Sequence, residues 1–273
     1  MRKNIKLLAL DFDGTILDSG KKFPVESVNA LYDLAHNDVK IVASSGRGLA
    51  ELADYSREMQ VFHYGILSSG GLVYDFCKKK ILSQQNMELD NALQIIAAGR
   101  QEHAMVHVLT TDISAVQQDV LPYMDQFKMG VYQGMFNRIA KPVEDIAAFV
   151  HNHAHDLLKV NLYHRSPVSR LRNRKHLQGL GVNMADAETT SLEFSQAGIS
   201  KAYGLQVLCE HLHLSCKDCA AIGDAPNDLE ILQAAGFSIA MGNALSCVKS
   251  TCDVVTTDND HNGVFHAIRQ YFS

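Results

Sequence analysis

Apolar and polar positions follow two periods along this chain. Short continuous apolar runs occupy 5–10, 39–43 and 64–67, and the segments between them carry apolar residues three and four apart. Over 24–36, Val25, Val28, Leu31, Leu34 and Ala35 share one helical face. A second helix is predicted over 48–59. Buried strands separated by helices predict a parallel sheet covered on both faces. The same alternation returns late in the chain. It predicts a helix over 199–213, a strand over 219–222, a helix over 228–235 and a strand over 237–241. A short helix over 244–250 and a strand over 253–255 follow.

The pattern changes near Leu82. Helices are predicted over 87–100, 143–152 and 167–177, strands over 104–109 and 157–163, and short extended segments near 182–185 and 192–194. This stretch reads as an α+β unit over 84–189, inserted into a core made of 1–83 and 190–273. The fold class is α/β: a doubly wound parallel sheet with an inserted α+β domain. No internal repeat or low-complexity segment interrupts it.

Composition narrows the classes of function. The chain has 273 residues, 47% of them apolar and 20% charged, which is ample for buried cores. A net charge of -5 supplies no basic field for nucleic acid. No stretch approaches the roughly 20 apolar residues of a membrane span, and the first apolar run is short for a signal peptide and ends in Asp-Phe-Asp. The expectation is a cytoplasmic protein, with a monomer as the default and neither nucleic acid nor membrane as partner. Six cysteines without a dense framework fit a reducing compartment.

The chemistry concentrates at predicted strand ends. The first strand runs into Asp11-Phe12-Asp13-Gly14-Thr15. Alternate strand residues share a face, so Asp11 and Asp13 project together where open α/β sheets bind ligands. Adjacent carboxylates repel unless a cation or shared proton relieves them. Ser44-Ser45-Gly46-Arg47 follows the second strand, with a hydroxyl and backbone N–H groups suited to a phosphate oxygen. Lys201 stands at a helix start. Gly223-Asp224-Ala225-Pro226-Asn227-Asp228 follows another strand. Oxygen donors without Cys or His suit Mg²⁺, and a metal with a lysine would neutralise a phosphoryl group in transfer. Asp11 can attack phosphorus as an ionised carboxylate, giving an acyl phosphate open to hydrolysis. Asp13 would protonate the leaving oxygen and then deprotonate water. That role needs a pKa above the usual value of about 3.9, supplied by partial burial beside Asp11.

DFDGT, SSGR, a single downstream lysine and GDAPND, in this order, resemble the four motifs of the haloacid dehalogenase (HAD) superfamily. The insertion between the second and third motifs, and the closing segment AGFSIAMGNALSCVKSTCDVVTTDNDHNGV, resemble the Cof-type phosphatases of subclass IIB, which carry a large α/β cap. The resemblance implies a Rossmann-like core and a cap that closes over it and selects the substrate. It implies Asp11 as nucleophile and Asp13 as acid/base. Mg²⁺ would be held by Asp11, the Asp13 carbonyl and Asp224, with Asp228 a further carboxylate, direct or through water. Ser45 and Gly46 would bind the phosphoryl oxygens, Lys201 would bridge Asp11 and the phosphoryl group, and Asn227 would contact the phosphate or order its loop. Many relatives have Thr where Ser45 stands, Asn-Gly where Ser69-Gly70 stands, and Gly where Ala202 follows the lysine.

The implied function is an Mg²⁺-dependent phosphatase acting on a small phosphorylated metabolite, a sugar phosphate or a cofactor phosphate. The alternatives are a sugar phosphomutase and a non-catalytic binder of a phosphorylated ligand. Other features read as structural. Cys216 and Cys219 have CxxC spacing with no second pair to complete a zinc site. His151, His153 and His155 straddle a predicted helix end, and the basic stretch 165–175 reads as a solvated helix face, with contact to an anionic substrate through Arg165, Arg170 and Arg172 as the alternative.

Overall fold

The computed structural model describes residues 3–186 and 189–272. It divides into two compact units. One comprises the chain through Gly46, Tyr55–Ser83 and everything from Ser200 onward; the other comprises Arg47–Asp54 and Gln84–Ile199. No helix among the described residues is long and apolar enough to cross a membrane.

In chain order the first unit begins with β1 (Leu7–Leu10), β2 (Lys40–Ser44), β3 (Tyr64–Leu67), β4 (Leu72–Asp75) and β5 (Lys80–Gln84). The second unit supplies β6 (Met105–Thr110), β7 (Ser114–Gln117), β8 (Lys141–Val143), β9 (Leu157–Tyr163), β10 (Val182–Ala185) and β11 (Ser191–Gln196). The chain then returns for β12 (Cys219–Gly223), β13 (Phe237–Ala240) and β14 (Val254–Val255).

The first unit is one eight-stranded sheet in the order β14-β13-β12-β1-β2-β3-β4-β5. The six strands from β14 to β3 run parallel, and β4 is antiparallel to β3. Every residue of β1 is buried, as a strand covered on both faces requires. Its register puts Leu10 between Ile222 and Ala43. The next residues, Asp11, Gly223 and Ser44, therefore leave the sheet side by side at its carboxyl edge. Phe12, between the two aspartates, is buried among Phe23, Tyr55 and Phe62, with ring centroids 5.4–6.5 Å away.

The second unit is a six-stranded sheet, β10-β11-β9-β6-β7-β8. Strict alternation builds it. Val106, Val108, Val160, Leu162, Leu192 and Phe194 join one core with residues from the helices Leu89–Gln101 and Ile146–Asn152. Met105, Val116 and Tyr163 face a second core with Met124, Phe127, Met129, Met135 and Phe136. That second face also carries a polar row, His107–Asn161–Glu193, set by the pairing of β6, β9 and β11, with the His107 ring 4.9 Å from that of Phe136.

The pattern predicts one helix over 48–59. The structure instead has two 3₁₀ segments, Leu49–Tyr55 and Glu58–Val61. The first half belongs to the second unit and the rest to the first, so a single amphipathic face could not serve both. The second unit also runs to Ile199 rather than ending at 189, because β11 pairs with β9 inside its sheet. The hairpin strand β4, the strands β5, β7 and β8, and the closing helix Gly263–Tyr271 are further elements that the pattern reading does not include.

The turn from β3 into β4 brings its backbone against the start of the helix Lys201–Leu212. Gly70 adopts φ +102°, and a methyl group there would collide with the Ser200 carbonyl oxygen. Gly70→Ala therefore adds about 1–2 kcal/mol of left-handed strain to that collision. Thermal unfolding should show a Tm lower by several degrees; an unchanged Tm would mean the turn retreats freely.

Candidate active site

All of the site residues inferred above lie in the first unit, on loops leaving β1, β2 and β12 and at the start of the helix Lys201–Leu212. Carboxylate oxygens of Asp11, Asp224 and Asp228 lie within 4.8 Å of one another. Lys201 Nζ donates to Asp11 Oδ1 and Asp228 Oδ1, both at 2.6 Å. Lys201 and Asp228 are each 1% exposed and Asp11 is 7% exposed.

Local sequence explains the placement. Ser200 caps the helix by accepting from Tyr203 N–H, so Lys201 is the first helical residue. Beyond β12, the chain folds back through Pro226–Asp228, and Asp228 Oδ2 accepts from the backbone N–H groups of Asp224 and Ala225. The Asp228 carboxylate thus shapes the loop with one oxygen and holds Lys201 with the other. Gly14, at φ +87°, lets the turn after β1 approach Asp224 so closely that a methyl group would strike its carboxylate.

Asp13 stands outside the carboxylate trio. Its side chain is 31% exposed and accepts from Lys21 Nζ at 2.9 Å. It is partly buried, and it gains a partner not foreseen from the sequence, because Lys21, in a left-handed turn at φ 59°, returns to the loop. Ser45 is 2% exposed; its N–H donates to the Ile66 carbonyl, and its own carbonyl accepts from Ser69 N–H. Ser69 adopts φ 59°, a conformation that asparagine or glycine enters more readily. Gly46 is the last residue of the first unit before the chain passes into the second. Asn227 Oδ1 is buried with no hydrogen-bond partner among the described residues.

Three further groups belong to the site. Thr15 Oγ1 donates to Asp224 Oδ1 at 3.0 Å. Asn243 Nδ2 donates to the Gly14 carbonyl at 2.8 Å and lies 3.4 Å from Asp224 Oδ2. Lys21 is the third. Thr15 is visible in DFDGT as a hydroxyl two residues past Asp13; Asn243 and Lys21 carry no local signal.

The electrostatics follow from burial and crowding. Burial is the main cause that raises Asp11 well above the ordinary carboxyl range, with Asp228 adding to it and Lys201 opposing. Asp224 is pushed up to about 6 by burial first, then by Asp228. Burial alone would lower Lys201, but the Asp11 and Asp228 carboxylates outweigh it and hold it raised and charged. Three carboxylates, those of Asp11 and Asp228 buried and that of Asp224 half-buried, crowd one ammonium. An all-oxygen cluster of this kind suits a hard divalent cation.

The other candidates are tied elsewhere. His153 caps the helix Ile146–Asn152, stacks on Phe149 at 4.3 Å and lies 3.1 Å from Asp156. His155 lies 3.6 Å from the same carboxylate. Within the second unit Arg170 and Arg174 pair with Asp186, Arg172 pairs with Glu102, and Arg165 stacks over Phe127.

The chain matches known proteins over nearly its whole length. A profile of the family described as haloacid dehalogenase-like hydrolase matches residues 8–268. The phosphatase YwpJ of Bacillus subtilis is 24% identical, covering 97% of this chain and 99% of that one. The 5-amino-6-(5-phospho-D-ribitylamino)uracil phosphatase YcsE of the same organism is 24% identical, covering 98% and 96%. Among solved structures, a haloacid dehalogenase-like hydrolase from B. subtilis superposes with TM-score 0.86 at 23% identity, covering 97% of this chain and 99% of that one.

The raised Asp224 carboxyl gives a prediction with a fixed sign. A carboxyl that binds its proton more tightly when folded destabilises the fold as pH rises from its ordinary 3.8 through about 6. In EDTA, Asp224→Asn should therefore melt above wild type at pH 7.5, with the gap closing toward pH 4.5. A variant that melts below wild type at both pH values would contradict this charge balance.

Proposed function

The chain belongs to the haloacid dehalogenase-like hydrolase family, of the Cof type, and from that premise we propose that it is an Mg²⁺-dependent phosphatase that hydrolyses a small phosphorylated metabolite through an acyl phosphate on Asp11. The enzyme class is phosphoric monoester hydrolase. The observation that carries the fuller reading is the trio Asp11, Asp224 and Asp228 gathered around Lys201 at the carboxyl edge of a parallel sheet.

Each residue takes a role its surroundings support. Asp11 Oδ attacks phosphorus, and the bond from phosphorus to the leaving oxygen breaks. Lys201 holds Asp11 in place and offsets the charge on the phosphoryl oxygens. Ser45 Oγ and Gly46 N–H donate to those oxygens, and Asn227 sits in the loop beside them. Asp13 delivers the proton to the leaving oxygen, then takes one from the water that cleaves the acyl phosphate. Lys21 partners the Asp13 carboxylate in its charged state.

Asp11, Asp224 and the Asp13 carbonyl would hold Mg²⁺, with Asp228 acting mainly on Lys201 and the loop backbone. Bound there, the cation supplies positive charge to the phosphoryl oxygens and relieves the repulsion among the carboxylates. Thr15 and Asn243 orient Asp224 for that role. Substrate selection is assigned to the second unit. The name of the relative YcsE specifies a ribitylamino-uracil phosphate, which supports a small phosphorylated metabolite as the substrate here.

The test is release of inorganic phosphate from a panel of sugar and cofactor phosphates, with Mg²⁺ and with EDTA. Wild type should release phosphate only with the cation. Asp11→Asn should release none, while its Tm stays at or above wild type, because a neutral amide replaces a disfavoured buried anion. Retained turnover in Asp11→Asn would refute the nucleophile. An isomeric sugar phosphate in place of inorganic phosphate would indicate a mutase.

A further inference from the structure

The sheet of the second unit buries polar side chains that its packing does not require. Side chains of β6, β9 and β11 alternate between two faces. One face is apolar, with Val106, Val108, Val160, Leu162, Leu192 and Phe194 in a single core. The other places His107 opposite Asn161, Asn161 opposite Glu193, and Lys159 two residues before Asn161 on β9. Lys159 and His107 are each 1% exposed and Asn161 is 3% exposed. Polar groups buried this deeply ordinarily find hydrogen-bond partners.

Most of the row is satisfied within itself. Lys159 Nζ donates to Glu193 Oε2 at 2.6 Å. His107 Nε2 lies 2.8 Å from Ser114 Oγ, and burial lowers the ring to about 3, so it is neutral. Asn161 Nδ2 donates to His107 Nδ1 at 3.2 Å and lies 3.4 Å from the Tyr163 hydroxyl. Asn161 Oδ1 has no partner among the described residues. Turning the amide over would exchange its two polar atoms and orphan the nitrogen at the same point. The unmet hydrogen bond therefore belongs to the position and not to the orientation of the amide.

The surroundings narrow what could meet it. Glu193, directly opposite on β11 and only partly buried, spends Oε2 on Lys159, and a carboxylate has a second accepting oxygen. Side chains opposed across antiparallel strands have Cβ atoms about 5 Å apart, so the two acceptors can serve hydroxyls on neighbouring carbons. Lys159 and Glu193 cancel each other's charge, and Glu51, 3.8 Å from His107, is a further anion. A second phosphate or a carboxylate is disfavoured there, whereas a neutral polyol is not. On the reading of this chain as a phosphatase whose second unit selects the substrate, we propose that Asn161 and Glu193 are specificity-determining residues that accept hydrogen bonds from a vicinal diol of the leaving alcohol. The substrate is then the phosphate of a polyol or sugar, not of an apolar or aromatic alcohol.

The test compares ribitol 5-phosphate with n-pentyl phosphate, which has the same carbon chain and no free hydroxyl. Full-length wild type with Mg²⁺ should favour ribitol 5-phosphate in kcat/KM by about 100-fold or more, because a site built to hold hydroxyls rejects an analogue that lacks them. Asn161→Leu should shrink that preference by about tenfold, mainly through a higher KM for ribitol 5-phosphate. Glu193→Gln should shrink it as well, and it decides the matter if Asn161→Leu does not fold as judged by circular dichroism. Equal turnover of the two esters by wild type, or an undiminished preference in the folded variants, would overturn the subsite and leave the phosphatase standing. Failure of the phosphatase reading shows separately, as no phosphate release from any ester of the wider panel. Should neither of the two esters turn over, calorimetry on the same proteins replaces the kinetics. The subsite is then overturned if wild type binds ribitol 5-phosphate no more tightly than n-pentyl phosphate, or no more tightly than Asn161→Leu does.

Discussion

The ammonium of Lys201 sits at the point where the carboxylates of two loops would otherwise repel one another. Asp11 ends β1, Asp228 closes the loop after β12, and both lean on the same nitrogen at 2.6 Å. Burying a lysine costs several kcal/mol unless its partners are close and fixed. Here they are fixed by main chain: β1 pairs with β12 along its length, and Asp228 also holds two backbone N–H groups. The pairing register and the ion cluster therefore require each other. A slip of one residue in either strand would leave the lysine facing one carboxylate, with the other buried alone.

That dependence reaches outward. The helix that begins at Lys201 can start there because Ser200 caps it, and Gly70 lets the β3–β4 turn lie against the capping residue. Glycine at 14 admits the other side of the site, so that Thr15 and the Gly14 carbonyl, through Asn243, both address Asp224. The balance left behind favours protonated carboxyls at Asp11 and Asp224. It is a fold that stores unfavourable charge where a cation and a phosphoryl group would be received.

Much of this is legible in the sequence. The continuous apolar run before Asp11 and the short run before Asp224 each ended in carboxylates, and strand ends at a shared edge follow from parallel pairing. Local chemistry could not reveal partners contributed from afar. Lys21 reaches Asp13 only because the chain turns through left-handed backbone at residue 21, and Asn243 reaches Gly14 across 229 positions. The segment 48–59 departs from its helical pattern for a different reason. Its apolar residues have helical spacing, but they answer to two separate cores, and periodicity carries no label saying which core a residue joins. Strands β4 and β5 gave no helical or long apolar signal to separate them from loop.

That divided segment changes what counts as a module. The second unit is not one continuous insertion: its packing includes Arg47–Asp54, which follows Gly46 directly in the chain. Arg138 grips Asp54 with two hydrogen bonds of 2.8 Å, Glu51 lies 3.8 Å from His107, and Arg47 packs on Tyr132 and Met135. A graft of 84–199 onto a related scaffold would carry Arg138 and His107 but leave Asp54 and Glu51 behind. The transferable piece is discontinuous, and a chimera built from the long insertion alone inherits a foreign anchor from its host.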